Sequence, residues 1–236
     1  MQVIPTNAIL KTTYSRVEDH VKIAEHPTDL PGLKFKYQVE DHPRLNDEDY
    51  PWYPHHAGAG VGGEFSIHDQ EKLKEHFLKV LAKRDKIVIV EIGVHRNPYA
   101  HTSTSIFLDN KRPQDIYVGI DIDDKSFLNN PDLNIHTIRT RSEEISMVHQ
   151  FLDSLGVDNI DVLMIDGWHS INQVYKEWEY TKRLSVDGIV IFHDTNAHPG
   201  PYFIIQSIDT NQYDVYKYFS DIQDWGLSVA LRKGGA

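Results

Sequence analysis

Two aspartates follow two apolar runs of the chain and are the first candidates for chemistry. Asp166 comes directly after the run Val162–Ile165, and Asp194 closely follows the run Gly188–Phe192. The segment between the runs has helical spacing, so strand, helix and strand predict a βαβ unit with adjacent parallel strands. Both carboxylates should then meet, roughly 5 Å apart, at the sheet edge where open α/β sheets bind ligands. With His169 three residues after Asp166, this pattern indicates a metal site or an acid/base site.

Two further acidic residues end two earlier predicted strands. Glu91 lies in the run KIVIVEIGV, residues 86–94, and Asp121 lies in the run IYVGIDI, residues 116–122. The 30-residue spacing of these two acids fits one βαβ step. The loop after the first strand has Gly93 but neither the glycine pattern of a dinucleotide site nor a Walker lysine pattern. The sequence therefore favours a nucleoside-like ligand without a chain of phosphates.

The other elements continue the alternation of strands and helices. Helical patterns occupy residues 66–84, 102–109, 145–155 and 202–208, and further strand patterns occupy residues 134–139, 214–219 and 226–232. The order predicts an α/β fold, a doubly wound, mostly parallel, Rossmann-like seven-stranded sheet with helices on both faces. The last two strands are expected to form a hairpin at the sheet edge. Ser66 is the expected cap of the first helix.

Residues 1–63 differ in composition from the rest of the chain. They hold six of the eleven prolines and few sustained apolar runs. We interpret residues 1–63 as an N-terminal arm and residues 64–236 as the domain. The arm either wraps the domain or acts as a lid whose aromatic residues cover a ligand.

The overall composition limits the classes of function. The net charge is −11, which argues against non-specific nucleic-acid binding because such binding needs a basic surface. The absence of cysteine excludes disulfides, thiolate zinc sites and cysteine nucleophiles. The sequence shows neither a signal-peptide pattern nor an apolar run of about 18 residues, so we expect a cytoplasmic protein without a membrane span. A homo-oligomer is possible if the arm exchanges between subunits.

Four motifs together resemble those of a known family. They are EIGVHRNPYAHTS, GIDID, DVLMIDGWHS and GIVIFHDT, in that order along residues 86–232. This ordered set resembles the class I S-adenosylmethionine-dependent methyltransferases. It is most similar to the metal-dependent small-molecule O-methyltransferases, including the macrolide-sugar enzymes and their cephalosporin-hydroxylase-like relatives.

The resemblance implies a set of cofactor contacts. The loop after the first strand would hold the methionine part of S-adenosylmethionine, the acid after the second strand would hold the ribose hydroxyls, and the segment after the third strand would lie near adenine. A carboxylate can accept hydrogen bonds from both ribose hydroxyls. The residues that match these positions are Glu91, Gly93, Thr102, Ser103, Asp121, Ser142 and Glu143, with Asp166 also beside the cofactor.

The resemblance also implies the chemistry at the acceptor side. Asp166 and Asp194 would bind Mg²⁺, which prefers oxygen ligands and lowers the pKa of a coordinated hydroxyl. Related enzymes add an Asp or Asn directly after the second Asp, whereas this chain has Thr195 there and Asn196 one residue later. Asn196, Thr195 or water could fill that position, or no metal binds. The expected catalytic residues are His169, as the base, and Asp166.

Other interpretations of the same residues stay open. Asp166 could simply cap the next helix. We expect His193 to be a core histidine, because consecutive strand residues such as His193 and Asp194 point to opposite faces. Glu177 and Glu179 are expected on a solvent-exposed face. The alternatives to O-methyl transfer to a small hydroxylated substrate are a non-catalytic nucleoside-binding module and an iron-dependent hydroxylase.

Overall fold

The computed structural model describes residues 30–33, 65–94, 102–169, 171–196, 198–218 and 225–234. The strands are β1 Val88–Ile92, β2 Ile116–Asp121, β3 Ile135–Arg139, β4 Ile160–Ile165, β5 Leu184–Phe192, β6 Tyr213–Tyr218 and β7 Leu227–Arg232. The α-helices are α1 Ile67–Leu81, α2 Ser103–Asn110, α3 Ile145–Ser154, α4 Ile171–Glu177 and α5 Pro199–Ser207, with short 3₁₀ helices at Ser126–Leu128, Pro131–Leu133 and Trp178–Arg183.

The seven strands form one sheet in the order β3-β2-β1-β4-β5-β7-β6. The first five strands of that order are parallel, and β7 runs antiparallel to both β5 and β6. The predicted α/β fold class, the seven strands and the edge hairpin are therefore confirmed. The strand order reverses between β1 and β4, so the crevice beyond their carboxyl ends is the expected ligand site.

Helices cover both faces of the sheet, as the strand pattern predicted. Leu73 and Phe77 of α1 and Phe107 of α2 pack on one face. Residues of α3, α4 and α5 pack on the other face, among them Val148 and Ile204. Five consecutive buried residues in β1 follow from this double cover, because a strand enclosed by two layers of helices needs apolar side chains on both faces.

The first helix begins where its capping residues place it. Ser66 Oγ accepts the backbone N–H of Asp69 at 3.0 Å, and the Asp69 carboxylate accepts the Ser66 N–H at 3.3 Å. This reciprocal capping box satisfies two backbone donors that the helix itself leaves without a partner. It also fixes Asp69, a fully buried residue, in the first turn of α1.

A short part of the N-terminal arm packs on the domain. Leu30 and Leu33 are buried, and Trp178 Nε1 donates a hydrogen bond to the carbonyl oxygen of Pro31 at 2.8 Å. Leu33 also forms an antiparallel bridge with Ile208. The lid interpretation, which concerns the aromatic residues of the arm, lies outside the described residues. Among the described residues, no helix is long and apolar enough to cross a membrane.

Candidate functional site

The two strand-ending aspartates meet around one histidine, as the βαβ pattern predicted. His169 Nε2 lies 2.8 Å from Asp194 Oδ2 and 3.5 Å from Asp166 Oδ1. The backbone N–H of Asp166 donates to Ile92 of β1 at 3.0 Å, which keeps the ends of β1 and β4 level with each other. The predicted proximity of the three side chains is confirmed, while their roles in catalysis stay predictions.

His193 belongs to the same cluster, and the expectation that it points away from Asp194 is wrong. Its Nδ1 lies 3.1 Å from Asp194 Oδ1 and 3.4 Å from Asp166 Oδ1. Strand β5 ends at Phe192, and Asp194 has a positive φ of 60°. Strand alternation therefore no longer applies at these two residues, and both side chains reach the same site. A non-glycine residue held in this region of backbone conformation is a common mark of functional sites.

A third histidine completes the cluster and is not among the residues that the sequence pattern singles out. His198 stacks on His169 with ring centroids 4.3 Å apart, and its Nε2 lies 4.0 Å from Asp194 Oδ2. Its backbone N–H donates to the carbonyl oxygen of Asp194 at 2.9 Å. The only sequence signal is the four-residue spacing after Asp194, which is too common in loops to identify a site.

The cluster is buried, and its charges support one another. Burial opposes ionisation of Asp194, but the positive fields of His193 and His169 hold the pKa of this carboxyl below its usual range. Burial alone would lower the pKa of His169, but Asp194 and Asp166 raise it to about 9. Without another cation, the carboxylates therefore favour a protonated His169 at neutral pH.

The donor set fits a divalent cation. In the part of the chain that the structure describes, two groups of three residues have donor atoms within 4.8 Å of one another: Asp166, His193 and Asp194 form one, and His169, Asp194 and His198 form the other. Asp194 Oδ1 is buried and makes no hydrogen bond of acceptable geometry. Buried carboxylate oxygens normally have hydrogen-bond partners or bind metals, so this unpartnered oxygen is a place where a cation would be stabilised.

Gly93 holds the loop after β1 against the loop after β4. It has a φ of +82°, and a Cβ added here would lie 2.0 Å from the carbonyl oxygen of Asp166. Only glycine allows this approach, because every other residue adds a side chain to space that the backbone already occupies. Gly93 therefore sets the position of Asp166, and its contact with a cofactor stays a prediction.

Asp121 fastens the loops that follow β1 and β2. Its Oδ2 accepts the backbone N–H of Val94 at 2.8 Å, and its Oδ1 accepts the N–H of Asp123 at 2.8 Å. Lys125 Nζ lies 3.8 Å from Oδ2. A carboxylate has about four acceptor sites, so two remain for hydroxyl donors. The structure thus places Asp121 at the predicted edge, and its contact with ribose stays a prediction.

Glu91 lies buried below the edge and binds hydroxyls of the protein. Its carboxylate accepts hydrogen bonds from Ser103 Oγ, Tyr117 Oη and, at 2.8 Å, Thr104 Oγ1. Thr102 caps α2 through a capping box with the residue three positions later. These contacts attach the start of α2 to β1. Contact of Glu91, Thr102 or Ser103 with a cofactor stays a prediction.

Ser142 and Glu143, the predicted adenine neighbours, lie after β3 and contact α4. Gln173 Nε2 donates to Ser142 Oγ at 2.6 Å and to Glu143 Oε2 at 2.8 Å, and Ser142 Oγ donates to Glu177 Oε1 at 2.5 Å. The expectation that Glu177 is exposed is wrong, since it is fully buried. The reason is that its carboxylate lies against the loops after β3 and β4, where it contacts Ser142 and Gly167. Glu179 remains about one third exposed.

We expect Glu177→Gln to stabilise the protein at neutral pH and above. Burial raises the pKa of the Glu177 carboxyl to about 7, from about 4.5 in an unfolded chain. A raised carboxyl pKa means that the folded state binds the proton more tightly, so stability falls as pH rises from about 4.5 to about 7. The cost reaches about 3 kcal/mol above pH 7. Urea unfolding of both proteins between pH 4.5 and 8 measures it, and a stability difference that did not change with pH would contradict this account.

The predicted metal ligand Asn196 lies in the turn between β5 and α5, beside the residues that precede β7. Its backbone N–H donates to Trp225 at 2.8 Å, and the N–H of Thr195 donates to Gly226 at 3.1 Å. The buried Thr195 Oγ1 accepts a hydrogen bond from Ser228 Oγ at 3.0 Å. These contacts fix the turn in place, while metal binding by Asn196 stays a prediction.

Comparisons with known proteins agree with this architecture. MycE methyltransferase from the mycinamycin biosynthetic pathway, in complex with Mg, SAH and mycinamycin VI, matches with a TM-score of 0.51 and 15% identity over 72% of this chain. The match spans about half of MycE, 52% of its chain. The apo structure of CalS11, a TDP-rhamnose 3'-O-methyltransferase in calicheamicin biosynthesis, matches with a TM-score of 0.51 and 14% identity, covering 72% of this chain and 83% of CalS11.

These likenesses define the fold. The chain has the Rossmann-like α/β fold of methyltransferases, with seven strands and a mostly parallel sheet. No protein-family model and no curated protein matches the chain.

Proposed function

We propose that this protein transfers a methyl group from S-adenosylmethionine to a hydroxyl of a small molecule, assisted by a divalent cation and by His169. One observation carries the proposal: the cluster of Asp166, His169 and Asp194 lies beyond β4 and β5, next to the edge where Gly93 follows β1 and Asp121 ends β2. The residues proposed to bind the nucleoside and the residues proposed to carry out the reaction are thus neighbours at the point where the strand order reverses.

The residues of the cluster have distinct tasks in this reaction. His169 Nε2 accepts the acceptor hydroxyl's proton as the methyl group moves from the sulfonium sulfur to the hydroxyl oxygen, leaving S-adenosylhomocysteine. Asp194 Oδ2, 2.8 Å from this nitrogen, accepts a hydrogen bond from it once it is protonated and so stabilises the imidazolium. A bound divalent cation would lower the pKa of the acceptor hydroxyl. Its charge would also offset the carboxylate field that favours a protonated His169, leaving the ring neutral to act as a base.

A small hydroxylated acceptor fits the surroundings of the cluster. Asp166 is the partly exposed member of the three, and Trp168, two residues later in the same loop, is half exposed, so we expect its ring to contact an acceptor that reaches the carboxylate. The net charge of −11 favours a small molecule over a nucleic acid. MycE, solved in complex with mycinamycin VI, and CalS11, a TDP-rhamnose 3'-O-methyltransferase, support an acceptor of this size.

We expect Asp121→Ala to weaken binding of S-adenosylhomocysteine at least tenfold. The variant would lose an acceptor for the ribose hydroxyls, and each lost hydrogen bond to a charged group costs about 1.5–3 kcal/mol. Isothermal titration calorimetry measures the affinity, with Asp123→Ala as the matched control because Asp123 is an exposed acid two residues away. The cofactor half of the proposal fails if the unmodified protein binds neither S-adenosylmethionine nor S-adenosylhomocysteine at millimolar concentration.

A second titration separates ribose binding from support of the loops. Asp121 also accepts two backbone N–H groups, so its loss could disturb the site indirectly. An S-adenosylhomocysteine analogue without the two ribose hydroxyls should bind less tightly than S-adenosylhomocysteine to the unmodified protein. The variant should not distinguish the two ligands. Equal discrimination by both proteins would show that Asp121 acts only on the loops.

An iron-dependent hydroxylase is the second candidate, and one specific observation favours it. His169, Asp194 and His198 bring two imidazoles and one carboxylate together, which is the composition of the non-haem iron triad. Oxygen consumption by the Fe²⁺-loaded protein would favour this activity over methyl transfer. A non-catalytic binding module would be excluded by turnover that Asp166→Ala abolishes while ligand binding persists.

A further inference from the structure

The metal site needs a third protein ligand, and the buried histidine beside Asp194 can provide it. We propose that His193 Nδ1, Asp166 and Asp194 together bind one divalent cation, and that the imidazole makes the site prefer Zn²⁺ or Co²⁺ to Mg²⁺. The inference rests on the proposed function for the role of the ion in the reaction. The ligand set itself follows from the geometry of the three residues.

The spacing of the donor atoms fits a single ion. His193 Nδ1 lies 3.1 Å from Asp194 Oδ1 and 3.4 Å from Asp166 Oδ1. Ligand bonds of about 2.1 Å give neighbouring donors a separation of about 3.0 Å in an octahedron and about 3.4 Å in a tetrahedron. Both measured separations therefore match adjacent positions around one cation.

The charges and the burial of the three residues also favour the binding of a cation. Asp194 and His193 are each 3% exposed, and Asp194 Oδ1, the atom nearest to His193 Nδ1, makes no hydrogen bond. Two carboxylates this close, with one oxygen unpartnered, are costly to bury unless positive charge lies between them. Asp166 is 24% exposed, so the site keeps one open side where an acceptor could enter.

A further buried acid stands behind His193. His193 Nε2 lies 3.8 Å from Asp69 Oδ2, and neither His193 Nε2 nor Asp69 Oδ1 makes a hydrogen bond. Asp69 is fully buried and held in place by the capping box with Ser66. A histidine that binds a metal through one nitrogen usually directs its other nitrogen to a carboxylate, which fixes the ring and its tautomer. Asp69 is in the position to orient His193 in this way.

This ligand set leaves the proposed base free. His169 Nε2 lies next to Oδ2 of Asp194, whereas His193 Nδ1 lies next to Oδ1 of the same carboxylate. One aspartate thus faces the metal ligands with one oxygen and the base with the other. An imidazole ligand changes ion preference, because nitrogen donors suit Zn²⁺ and Co²⁺ whereas Mg²⁺ prefers oxygen donors.

Pulsed electron paramagnetic resonance of the Mn²⁺-loaded protein tests the ligand set directly. We expect the coupling of one directly bound nitrogen, lost in His193→Asn and retained in His169→Asn and His198→Asn. No nitrogen coupling in the unmodified protein, or a coupling that survives in His193→Asn, would overturn the proposal. A coupling lost instead in His198→Asn would assign the ion to the neighbouring group of His169, Asp194 and His198, and so would also overturn it.

Affinity measurements test the ion preference and the role of Asp69. Zn²⁺ should displace Mn²⁺ at a concentration at least about tenfold lower than Mg²⁺ does. The variant Asp69→Asn should keep the nitrogen coupling but bind Mn²⁺ about 10–100-fold more weakly. This variant also decides the matter if His193→Asn does not fold, since an unchanged Mn²⁺ affinity in Asp69→Asn would count against the ligand set. Equal displacement by Zn²⁺ and Mg²⁺ would contradict the preference.

The two proposals fail separately in these experiments. The metal measurements need neither S-adenosylmethionine nor an acceptor, and the calorimetry of S-adenosylhomocysteine needs no metal. Normal nucleoside binding without a nitrogen ligand would overturn the role of His193 alone. A nitrogen ligand lost in His193→Asn, in a protein that binds no S-adenosylmethionine, would overturn methyl transfer alone.

Discussion

Substitution of His169 by glutamine should lower kcat for methyl transfer by about 10²–10⁴-fold, the usual contribution of a general base. Glutamine keeps a polar side chain near Asp194 but cannot accept the proton of the acceptor hydroxyl. Affinity for S-adenosylhomocysteine should stay within about twofold, because the predicted cofactor residues lie on the loops after β1, β2 and β3. The rate of S-adenosylhomocysteine formation is measured with an acceptor identified by screening macrolides, nucleotide sugars and phenols.

The control for this variant is a histidine far from the cluster. His136 is a partly exposed residue of the edge strand β3, which β2 and β1 separate from β4, so His136→Gln removes an imidazole without touching the carboxylates. It should leave kcat unchanged. A purely structural role for His169 predicts a different result, in which His169→Gln lowers the unfolding temperature and the affinity for S-adenosylhomocysteine together with the rate. Retention of normal kcat by His169→Gln would exclude it as the base.

The sequence was sufficient to predict those parts of the site whose residues are brought together by the strand order alone. Asp166 and Asp194 end consecutive strands of one βαβ unit, and parallel neighbours place their carboxyl ends at the same edge. His169 follows within one turn, so its distance from Asp166 is short for local reasons. Gly93 and Asp121 were placed by the same argument, because β1 lies between β2 and β4 in the sheet.

Predictions from the sequence were wrong where a single backbone angle or a second packing partner decides where a side chain lies. His193 and Asp194 reach the same cluster because Asp194 adopts a φ of 60°. No pattern of residue types predicts that angle for an aspartate. Glu177 is buried because its carboxylate lies against the loops after β3 and β4, whereas helical periodicity assumes one buried face. Both errors concern tertiary context, and both changed the chemistry, since they hid a metal-ligand candidate and a buried acid.

Replacement of Gly93 by alanine should destabilise the fold by more than about 3 kcal/mol, against a total stability of about 5–15 kcal/mol for a typical domain. The new Cβ would lie 2.0 Å from the carbonyl oxygen of Asp166 and 2.7 Å from its carbonyl carbon. Both contacts are with backbone, so no side-chain rotation can relieve them, and the loops after β1 and β4 must separate. Urea unfolding measures the loss, and the separation should also reduce the binding of Mn²⁺, because it moves Asp166.

Gly156 provides a matched control that separates the two causes of this loss. Its φ is +68°, close to that of Gly93, but a Cβ added there meets no atom within 4 Å. Gly156→Ala should therefore show the conformational cost alone, about 1–2 kcal/mol, without the collision. Equal losses in the two variants would mean that the loops after β1 and β4 are not in tight contact. A larger loss in Gly93→Ala would show that the position of Asp166 depends on the absence of a side chain at residue 93. The loop after β1 would then be coupled through the backbone itself to the cluster of Asp166, His169 and Asp194.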